Sequence, residues 1–508
     1  MSLAVILSRA SFGINAPEVT VEVHLSNGLP SMSIVGLASA EVKESKERVR
    51  SALINSGFDF PARRIIINLG PADLPKSGGR FDLSIALGIL VASEQLERKY
   101  LDNFEVLGEL ALNGELRSIN GALNATIAAE SIQKNILLPL VNASEASLTE
   151  STTIFAASTL KEVCIGLVNK DSIHFKYKKV AATNIVSYTD MAEIKGNQHA
   201  KRALLVAAAA GHNILFVGSP GTGKTMLART LPSLLTEMSV KEAMEIAAIE
   251  SIAKEGISVD NLYRRRFRAP HHNCTVASIT GGGRIPVPGE ISLAHRGVLF
   301  FDELPEFPRS VLESLRQPLE DGHLTVSRAQ WKVKFPAEFQ FVAAMNPCPC
   351  GYFASEEKEC HCSKSKILQY LGRLSGPLLD RIDIQVMVNN PKISLLDSNQ
   401  PKQDSSHSFR DKISKCRELQ INRQAVLNND LALSALIELS NLDKKSHKVF
   451  NQAIKSHQLS LRSQQRILRV ARTIADLESS IDIKASAIIE ALSYRIFDQL
   501  IKKARKYT

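Results

Sequence analysis

The chain has 508 residues, and at about 150 residues per domain this length predicts about three domains. Hydrophobic residues make up 44% and charged residues 22%, close to an average globular protein, so the composition excludes a disordered or fibrous chain. The formal net charge of +10 favours a polyanionic partner without identifying it. Because no apolar run reaches the roughly 18–20 residues of a membrane helix and the N-terminus lacks a secretory signal, we expect a cytoplasmic protein without a membrane partner.

The first 180 residues alternate short β-type runs with helical patterns. Val19–His24 is typical of a strand, and Leu83–Ser93 has helical periodicity. Within Gly108–Gly121, an Asn-Gly pair lies between extended residues, which predicts a hairpin. We therefore predict an α/β domain over residues 1–180 and place its boundary at Ile185.

A glycine-rich loop follows the apolar run Asn213–Val217 and precedes a helical pattern. The loop consists of Gly218, Ser219, Pro220, Gly221, Thr222, Gly223, Lys224 and Thr225. In this context the backbone N–H groups turn toward phosphates, Lys224 reaches the β- and γ-phosphates, and Thr225 offers its hydroxyl to Mg²⁺. The pattern predicts a nucleotide site with a bound magnesium ion.

A second apolar run, Gly297–Phe301, ends in two acidic residues, Asp302 and Glu303. A buried strand of a parallel sheet delivers such carboxylates to the edge where ligands of α/β folds bind. There Asp302 can hold the hydrated Mg²⁺ and Glu303 can polarise the attacking water. Two acids after a strand are more often turn residues, but the phosphate loop favours the functional interpretation.

Three further residues complete the candidate site. Asn346 ends the apolar run Phe339–Met345 and can orient a water, although asparagine at a strand end is also ordinary turn chemistry. Arg381 and Arg469 can each stabilise charge on a γ-phosphate. From spacing alone, a surface salt bridge is an equally good explanation of both arginines.

Four of the seven cysteines lie within fifteen residues, inside the segment 346–364. They form two Cys-x-Cys pairs, Cys348 with Cys350 and Cys360 with Cys362. Four thiolates can close tetrahedrally on Zn²⁺, so the sequence predicts a structural zinc site, in which His361 can replace one sulfur. The alternative is a set of reduced, buried thiols.

Two basic segments are candidate nucleic-acid contacts. Arg264–Arg268 places four cations around one aromatic residue, and His323–Phe335 alternates like a hairpin. The hairpin pattern contains Trp331, Arg328, Lys332 and Lys334. Such a hairpin can grip a nucleic-acid backbone and stack a base, whereas a charge run is also typical of a solvated face. The basic C-terminus, Lys502–Lys506, is weaker evidence for the same reason.

The C-terminal part of the chain changes character. The second domain runs over residues 185–388, and the polar stretch Asn389–Ser408 is typical of a linker or an exposed loop. Residues 409–508 are nearly free of glycine and proline and have helical periodicity throughout. We predict a small all-helical domain there.

Several long motifs follow one another in a characteristic order. They are the box Asp190–Asn213, the loop GSPGTGKT, the segment APHHN, and the later segments PGEISLAHRGVLFFDELPEF, MNPCPCGY, GPLLDRID and LSLRSQQRILRVARTIADLE. In this order they resemble the magnesium-chelatase-like AAA+ ATPases of the ComM/YifB group. The N-terminal segment Asn68–Leu83 also resembles the Lon-protease-like domain that this family carries.

The resemblance implies an AAA+ core with a Lon-protease-like α/β domain before it, a helical lid domain after it, and assembly into a ring that is usually a hexamer. It implies that Asn346 is sensor 1, that Arg381 is an arginine finger acting on a neighbouring subunit's nucleotide, and that Arg469 is sensor 2. One departure concerns the Lon-like domain, where Arg80 stands at the place expected for the serine nucleophile. We therefore predict a non-proteolytic domain, since Lys76 and Ser77 are adjacent on an extended segment and face opposite ways.

These features together predict an ATP-driven, ring-shaped motor on single-stranded or branched DNA, with ATP, Mg²⁺ and Zn²⁺ as cofactors. By its resemblance, the chain is expected to be a helicase that drives branch migration when incoming DNA is integrated in natural transformation. The first alternative is the ATPase motor subunit of a magnesium chelatase, which shares the core. The second is a nucleotide-gated scaffold, which the complete set of catalytic residues disfavours.

Overall fold

The computed structural model describes residues 3–36, 39–149, 152–169, 172–174, 188–253, 256–257, 259–283, 286–327, 331–355, 358–390 and 405–507. The boundary predicted at Ile185, the side chain of Arg328 and most of the polar stretch 389–408 lie outside the described residues. Within the described part of the chain, no helix has both the length and the apolar character needed to span a membrane.

The N-terminal region is built on a seven-stranded mixed sheet. Its strands are β1 (Leu3–Arg9), β2 (Glu18–Ser26), β3 (Ser31–Val35), β4 (Arg64–Gly70), β5 (Phe104–Val106), β8 (Asn135–Pro139) and β9 (Ile154–Ala157), in the order β3-β4-β2-β1-β5-β8-β9. Strand β2 pairs antiparallel with β1 and β4, and the other neighbours pair parallel. A separate hairpin joins β6 (Glu109–Leu110) to β7 (Leu116–Arg117) around Asn113-Gly114, which confirms the predicted hairpin.

Five α-helices accompany this sheet in the part of the region that the structure describes. They are α1 (Ala40–Asn55), α2 (Asp82–Ala92), α3 (Ala122–Ser131), α4 (Ala143–Ala146) and α5 (Leu160–Val168). Every residue of α2 is buried, because this largely apolar helix packs against strands β1 and β2 and against helix α1. Its Gly88 allows close approach to β2, since a Cβ there would lie 2.6 Å from a methyl of Val23.

A second, five-stranded parallel sheet carries the phosphate loop. Its strands are β10 (Ile214–Val217), β11 (Phe267–Arg268), β12 (Val298–Phe301), β15 (Gln340–Met345) and β16 (Ile384–Met387), in the order β11-β12-β15-β10-β16. The three central strands are continuous apolar runs because helices cover both faces of a parallel sheet. An antiparallel hairpin stands apart, formed by β13 (His323–Ser327) and β14 (Lys332–Pro336).

Nine helices belong to the same part of the chain. They are α6 (Gln198–Ala210), α7 (Lys224–Leu234), α8 (Val240–Ser251), α9 (Val276–Thr280), α10 (Glu290–Leu293), α11 (Arg309–Ser314), α12 (Pro318–Asp321), α13 (Lys364–Leu371) and α14 (Gly376–Leu379) within the described residues. Helices α6 and α7 pack on the sheet through a shared apolar cluster that includes Leu204, Leu227 and Phe216.

The C-terminal region is helical, as its periodicity predicts. It contains α15 (Ser406–Gln424), α16 (Leu433–Leu439), α17 (Lys444–His457), α18 (Leu461–Leu477), α19 (Ala485–Ser493) and α20 (Ile496–Lys506). Helices α15 and α18 contribute Ile413 and Ile474 to the apolar cluster of the five-stranded sheet. Helix α20 instead contributes Phe497 and Leu500 to a second cluster on the other side of that sheet.

The N-terminal region contacts the phosphate-loop region at two places. Gly121 at the start of α3 donates its N–H to the carbonyl of Ser251 at the end of α8, with an N···O distance of 2.7 Å. The turn between β1 and β2 lies on the β13–β14 hairpin, where the ring centroids of Phe12 and Trp331 are 5.5 Å apart, edge to face. Gly13 sits so close to Val333 that a Cβ would come within 2.4 Å of its methyl.

Candidate nucleotide site and metal centre

The phosphate loop lies between β10 and α7, which confirms the predicted strand–loop–helix order. Gly223 has φ 88° and caps the N-terminus of α7, a conformation that favours glycine. Gly218 is pressed against the chain after β16, because a Cβ there would lie 2.2 Å from the carbonyl oxygen of Val388. The helix therefore begins at Lys224 with its free N–H groups pointing at the loop, an arrangement suited to phosphate.

Lys224 is buried within this loop. Its ammonium donates to the carbonyl oxygens of Gly218 and Ser219, both at 2.8 Å, and to Oδ1 of Asn346 at 3.2 Å. Burial lowers the pKa of Lys224 to about 8, while the charges of Asp302 and Glu303 act in the opposite direction. The sensor-1 candidate and the phosphate-loop lysine are thus direct neighbours, although 122 residues separate them.

The strand register explains why the other polar residues converge here. Val217 pairs with Met345, and Phe301 pairs with Ala343, so β10, β12 and β15 end at the same edge of the sheet. At that edge the hydroxyl of Thr225 donates to Oδ2 of Asp302 at 2.8 Å. A hydroxyl and a carboxylate side by side are oxygen ligands of the kind that Mg²⁺ prefers, so these two residues fit a magnesium ion.

Glu303 is held by its backbone in an unusual conformation. Its φ of 54° lies in the left-handed region, and 54% of its side chain is exposed. Its Oε2 lies 3.4 Å from Nδ1 of His272, whose ring packs at a tilt against that of His271 with a centroid distance of 4.1 Å. The carboxylate therefore projects from the strand end toward solvent, beside an imidazole.

His272 lies beside the site, and the sequence analysis did not assign it a role there. It follows β11, the edge strand beside β12, so it reaches the site by the same geometric rule as the other polar residues. The signal was its position four residues after the end of β11, a strand that is hard to detect because it has only two residues, one of them an arginine.

The two arginines proposed for the site lie elsewhere within this chain. Arg381 forms an ion pair with Glu320 and donates to the carbonyl of Pro377 at 2.7 Å. Arg469 donates to the carbonyl of Leu431, and burial lowers its pKa. Neither arginine contacts the phosphate loop among the described residues. The structure instead pairs Arg466, one helical turn before Arg469, with Asp383 at 3.1 Å.

The four clustered cysteines come together in space. Their sulfur atoms all lie within 4.8 Å of one another, and the closest pairs are 3.3, 3.6 and 3.7 Å apart. Tetrahedral zinc with Zn–S bonds of about 2.3 Å requires sulfurs about 3.8 Å apart, so Cys348, Cys350, Cys360 and Cys362 fit a zinc ion. His361 is exposed and is not part of this group, which favours the all-sulfur set over replacement of one sulfur by His361.

The cysteine cluster is connected to the nucleotide site. It begins two residues after Asn346, and Gly351 packs on the phosphate loop, where a Cβ would come within 2.5 Å of Cδ of Pro220. Tyr507, at the end of α20, donates its hydroxyl to the carbonyl of Cys360 at 3.1 Å. The fold of the cluster therefore supports both the phosphate loop and the last helix.

The basic hairpin is only partly free to bind another molecule. The exposed side chains of Lys332 and Lys334 lie on the same face of β14, while Arg328 lies outside the described residues. Trp331 packs against Phe12 of the N-terminal region rather than standing free, so the expected base-stacking role of this tryptophan is not supported by its surroundings.

Most cations of the Arg264–Arg268 run are paired with acids of the chain, and the interpretation of this run as a nucleic-acid contact stays a prediction. Bidentate or close ion pairs join Arg265 to Glu242 and Arg266 to Glu250, both on α8. Arg268 pairs with Glu290 at 2.7 Å. Glutamates of α8 lie beside the segment before β11 and Glu290 of α10 lies beside β11, so these acids neutralise the three arginines within the chain.

The Lys76–Ser77 pair of the N-terminal region does not form a hydrogen-bonded dyad. Lys76 is buried and donates to the main-chain carbonyl of Pro71, and burial lowers its pKa. Arg80, four residues on, is also buried, and burial lowers its pKa to about 10. The non-proteolytic character of the domain stays a prediction.

Comparison with known proteins identifies the family. Three models of the magnesium chelatase subunit ChlI family match residues 21–142, 190–396 and 403–495. The chain is 46% identical over 507 residues to competence protein ComM of Haemophilus influenzae, covering 99% of both chains. It is 43% identical to the uncharacterized protein YifB of Escherichia coli, covering 100% of this chain and 99% of YifB.

A shorter similarity concerns proteases. An archaeal Lon protease of Methanocaldococcus jannaschii is 28% identical over 159 residues, which is 30% of this chain and 20% of the protease. The full-length similarities are decisive, and the chain belongs to the magnesium-chelatase-like AAA+ family that includes ComM and YifB. Membership of this family implies ATPase activity.

Proposed function

We propose that the protein is an ATP-driven, ring-forming motor that moves branched or single-stranded DNA. The observation that carries the ATPase part is the convergence of Lys224, Thr225, Asp302 and Asn346 at one sheet edge. Lys224 neutralises phosphate charge, and Thr225 with Asp302 holds Mg²⁺. Glu303 then accepts the proton of the attacking water, which Asn346 orients.

The proposal includes an assembled ring, with a hexamer as the expected form. Arg381 is proposed to act on the ATP of the adjacent subunit, where its positive charge stabilises the γ-phosphate in the transition state. Its ion pair with Glu320 must then exchange for the phosphate on assembly. Arg469 is proposed as sensor 2, which requires a change in its hydrogen bond to Leu431 when nucleotide binds.

The DNA part rests on similarity and charge. ComM of Haemophilus influenzae is named a competence protein. We therefore propose a role in integrating incoming DNA by branch migration. The chain carries a formal net charge of +10, and Lys332 and Lys334 of the hairpin are exposed. With Arg328, these lysines are proposed to contact the DNA backbone, with an affinity that falls steeply with salt.

A magnesium chelatase motor is the second candidate, because the family models that match the chain describe a magnesium chelatase subunit. The cysteine cluster and the Lon-like similarity favour the DNA motor, since neither is needed for inserting magnesium into a porphyrin. A nucleotide-gated scaffold remains the weakest alternative, because a scaffold does not need Glu303.

ATP turnover in the presence of different effectors tests the proposal. The rate is measured with no addition, with single-stranded DNA, with a four-way junction, and with magnesium plus protoporphyrin. We expect stimulation by DNA, strongest with the junction, and none by the porphyrin. Stimulation by the porphyrin alone would assign the protein to chelation instead, and an unchanged low rate with every addition would favour the scaffold.

A further inference from the structure

The last helix of the chain has one strongly basic side. Helix α20 buries Phe497, Leu500 and Ala504 and exposes a cluster of cations within five residues. The exposed cations are Lys502, Lys503, Arg505 and Lys506. Because one turn takes 3.6 residues, these four positions lie outside the buried stripe and form one face.

This helix is an integral part of the fold rather than a solvated tail. Its buried residues belong to the apolar cluster beneath β12 and β15, and α20 packs against α13. At its C-terminus, Tyr507 donates to the carbonyl of Cys360 and stacks edge-on against Phe353, with centroids 5.4 Å apart. The cations are therefore displayed from a fixed support, so little ordering entropy opposes binding.

The positive charges are not neutralised within the chain. None of the four α20 cations forms an ion pair with any residue that the structure describes, and the only acid of α20, Asp498, pairs with Arg495. Helix α13, which packs on α20, adds two exposed lysines, Lys364 and Lys366. The arginines of the run 264–268 show the contrast, since three of them are paired with glutamates.

We propose that the basic face of α20, extended by the lysines of α13, is a docking surface for the sugar–phosphate backbone of duplex DNA. This inference rests on the proposed DNA motor and adds a duplex-binding surface that is separate from the hairpin. Closely spaced cations on a rigid helix neutralise phosphates and release counterions without reading the sequence.

The chemistry of the surface favours duplex DNA over other polyanions. Single-strand sites usually combine cations with exposed aromatic rings on which bases stack, but Phe497 is buried and Tyr507 is engaged with Phe353. Insertion into a lipid surface needs an exposed apolar face, and the apolar face of α20 is used inside the protein. Binding to the row of phosphates on duplex DNA requires only the exposed cations.

The test replaces the four α20 cations together, as Lys502→Gln, Lys503→Gln, Arg505→Gln and Lys506→Gln, in the full-length protein. Binding of a labelled duplex and of a labelled single strand is titrated over a range of salt concentrations. For the duplex we expect the slope of log affinity against log salt to fall by about 0.9 for each phosphate that is no longer neutralised, and affinity to drop by about tenfold or more. Single-strand binding should change much less.

A matched control removes the same charge from another exposed helix. Helix α17 carries Lys444, Lys445, Lys448 and Lys455, all exposed, but it packs on α19, which has no cation. Replacing these four by glutamine should leave the duplex slope near that of the wild type. DNA-free ATP turnover by both variants reports that folding is intact.

The outcomes separate this inference from the proposed function. If the wild type binds both DNAs and the α20 variant binds duplex with an unchanged slope, the surface is assigned wrongly and the motor proposal stands. An equal decrease in the α17 control also overturns the assignment, because net charge alone then explains binding. A wild type that binds no DNA overturns both proposals. Binding of the wild type and the α20 variant to anionic phospholipid vesicles is measured in parallel, and loss of vesicle binding with duplex binding retained would overturn the assignment in favour of lipid headgroups.

Discussion

At the residue scale, two hydrogen bonds connect the phosphate loop with the neighbouring strands. Lys224 donates to Asn346, and Thr225 donates to Asp302, so each loop residue already lies beside the partner with which it is proposed to act. Glu303 differs, since its carboxylate is exposed and lies beside His272. In the proposed mechanism, binding and hydrolysis of ATP therefore depend on different side chains.

Substitution should separate these two functions. Lys224→Ala removes the cation that faces the phosphates, and we expect ATP affinity to fall by at least about tenfold. Glu303→Gln keeps the shape but cannot accept a proton, so ATP should bind normally and remain unhydrolysed. Equilibrium binding of labelled ATP and single-turnover hydrolysis measure the two effects. Wild-type hydrolysis by Glu303→Gln would show that another group is the base.

A buried histidine predicts how stability depends on pH. His212 is fully buried, with Nε2 2.9 Å from Oγ1 of Thr473 and Nδ1 3.3 Å from Oδ1 of Asn429. Burial lowers its pKa in the folded protein, and burial also lowers that of His295. The unfolded chain therefore binds more protons, so stability is present above about pH 6.5 and is lost as the pH falls below it.

The measurement is the thermal midpoint between pH 7.5 and pH 5.5. We expect the wild type to lose stability on acidification and His212→Gln to lose less, since glutamine does not titrate. The variant starts from a lower midpoint because it disturbs a buried hydrogen-bond network. Parallel pH profiles for the two proteins would show that His212 does not govern this dependence.

At the element scale, the cysteine cluster connects the phosphate loop with the end of the last helix. Gly351 lies on Pro220 of the phosphate loop, and Cys360 accepts a hydrogen bond from Tyr507 after α20. Burial raises the pKa values of Cys348 and Cys360, whereas hydrogen bonds from the Tyr352 N–H and neighbouring thiols outweigh burial and lower the pKa of Cys350 to about 6. A thiolate among close sulfurs is the form in which cysteine ligates metals.

Metal analysis tests the cluster directly. We expect about one zinc ion per chain in the purified protein, and clearly less in Cys360→Ser. Loss of the metal should lower the thermal midpoint and weaken ATP binding, because the cluster supports the phosphate loop. Cys416→Ser, a buried cysteine outside the cluster, is the matched control. Metal-free protein with full stability and ATP affinity would mean that the four thiols are structural without zinc.

The sequence predicts those elements whose formation depends on residues close together in the chain. The strands β10, β12 and β15 are continuous apolar runs, and their polar ends meet because parallel strands share an edge, so the nucleotide site was predictable. The pairing of Arg265 and Arg266 with glutamates of α8 was not, because it depends on which helix lies beside the segment before β11 in the folded chain. The packing of Phe12 on Trp331 depends in the same way on how two sheets are placed.

At the scale of the whole molecule, the proposed arginine finger, Arg381, can act only when subunits assemble into a ring. Arg381 is paired with Glu320 in the isolated chain and does not touch the chain's own phosphate loop among the described residues. An arginine acting across a subunit interface contributes about 10³–10⁵ in rate, so each single variant of the pair Arg381 and Lys224 should be nearly inactive.

Mixing the two variants reveals whether the finger acts between subunits. Arg381→Ala subunits keep an intact phosphate loop, and Lys224→Ala subunits keep an intact finger, so mixed rings should regain some active sites. ATP turnover of the mixture should exceed the sum of the parents. If mixed rings form without this gain and Arg381→Ala alone hydrolyses normally, another arginine is the finger. Arg373, which pairs with Glu306 just after Glu303, is the next residue to replace.

The central claim is that ATP hydrolysis at the Lys224 and Glu303 site drives movement of branched DNA. It is tested most directly with a labelled four-way junction whose arms can exchange, incubated with the protein and ATP. We expect the wild type to convert the junction into exchanged duplexes only when ATP is hydrolysed, whereas Glu303→Gln binds the junction and leaves it unchanged. If the wild type hydrolyses ATP on the junction but the strands do not exchange, the account is contradicted.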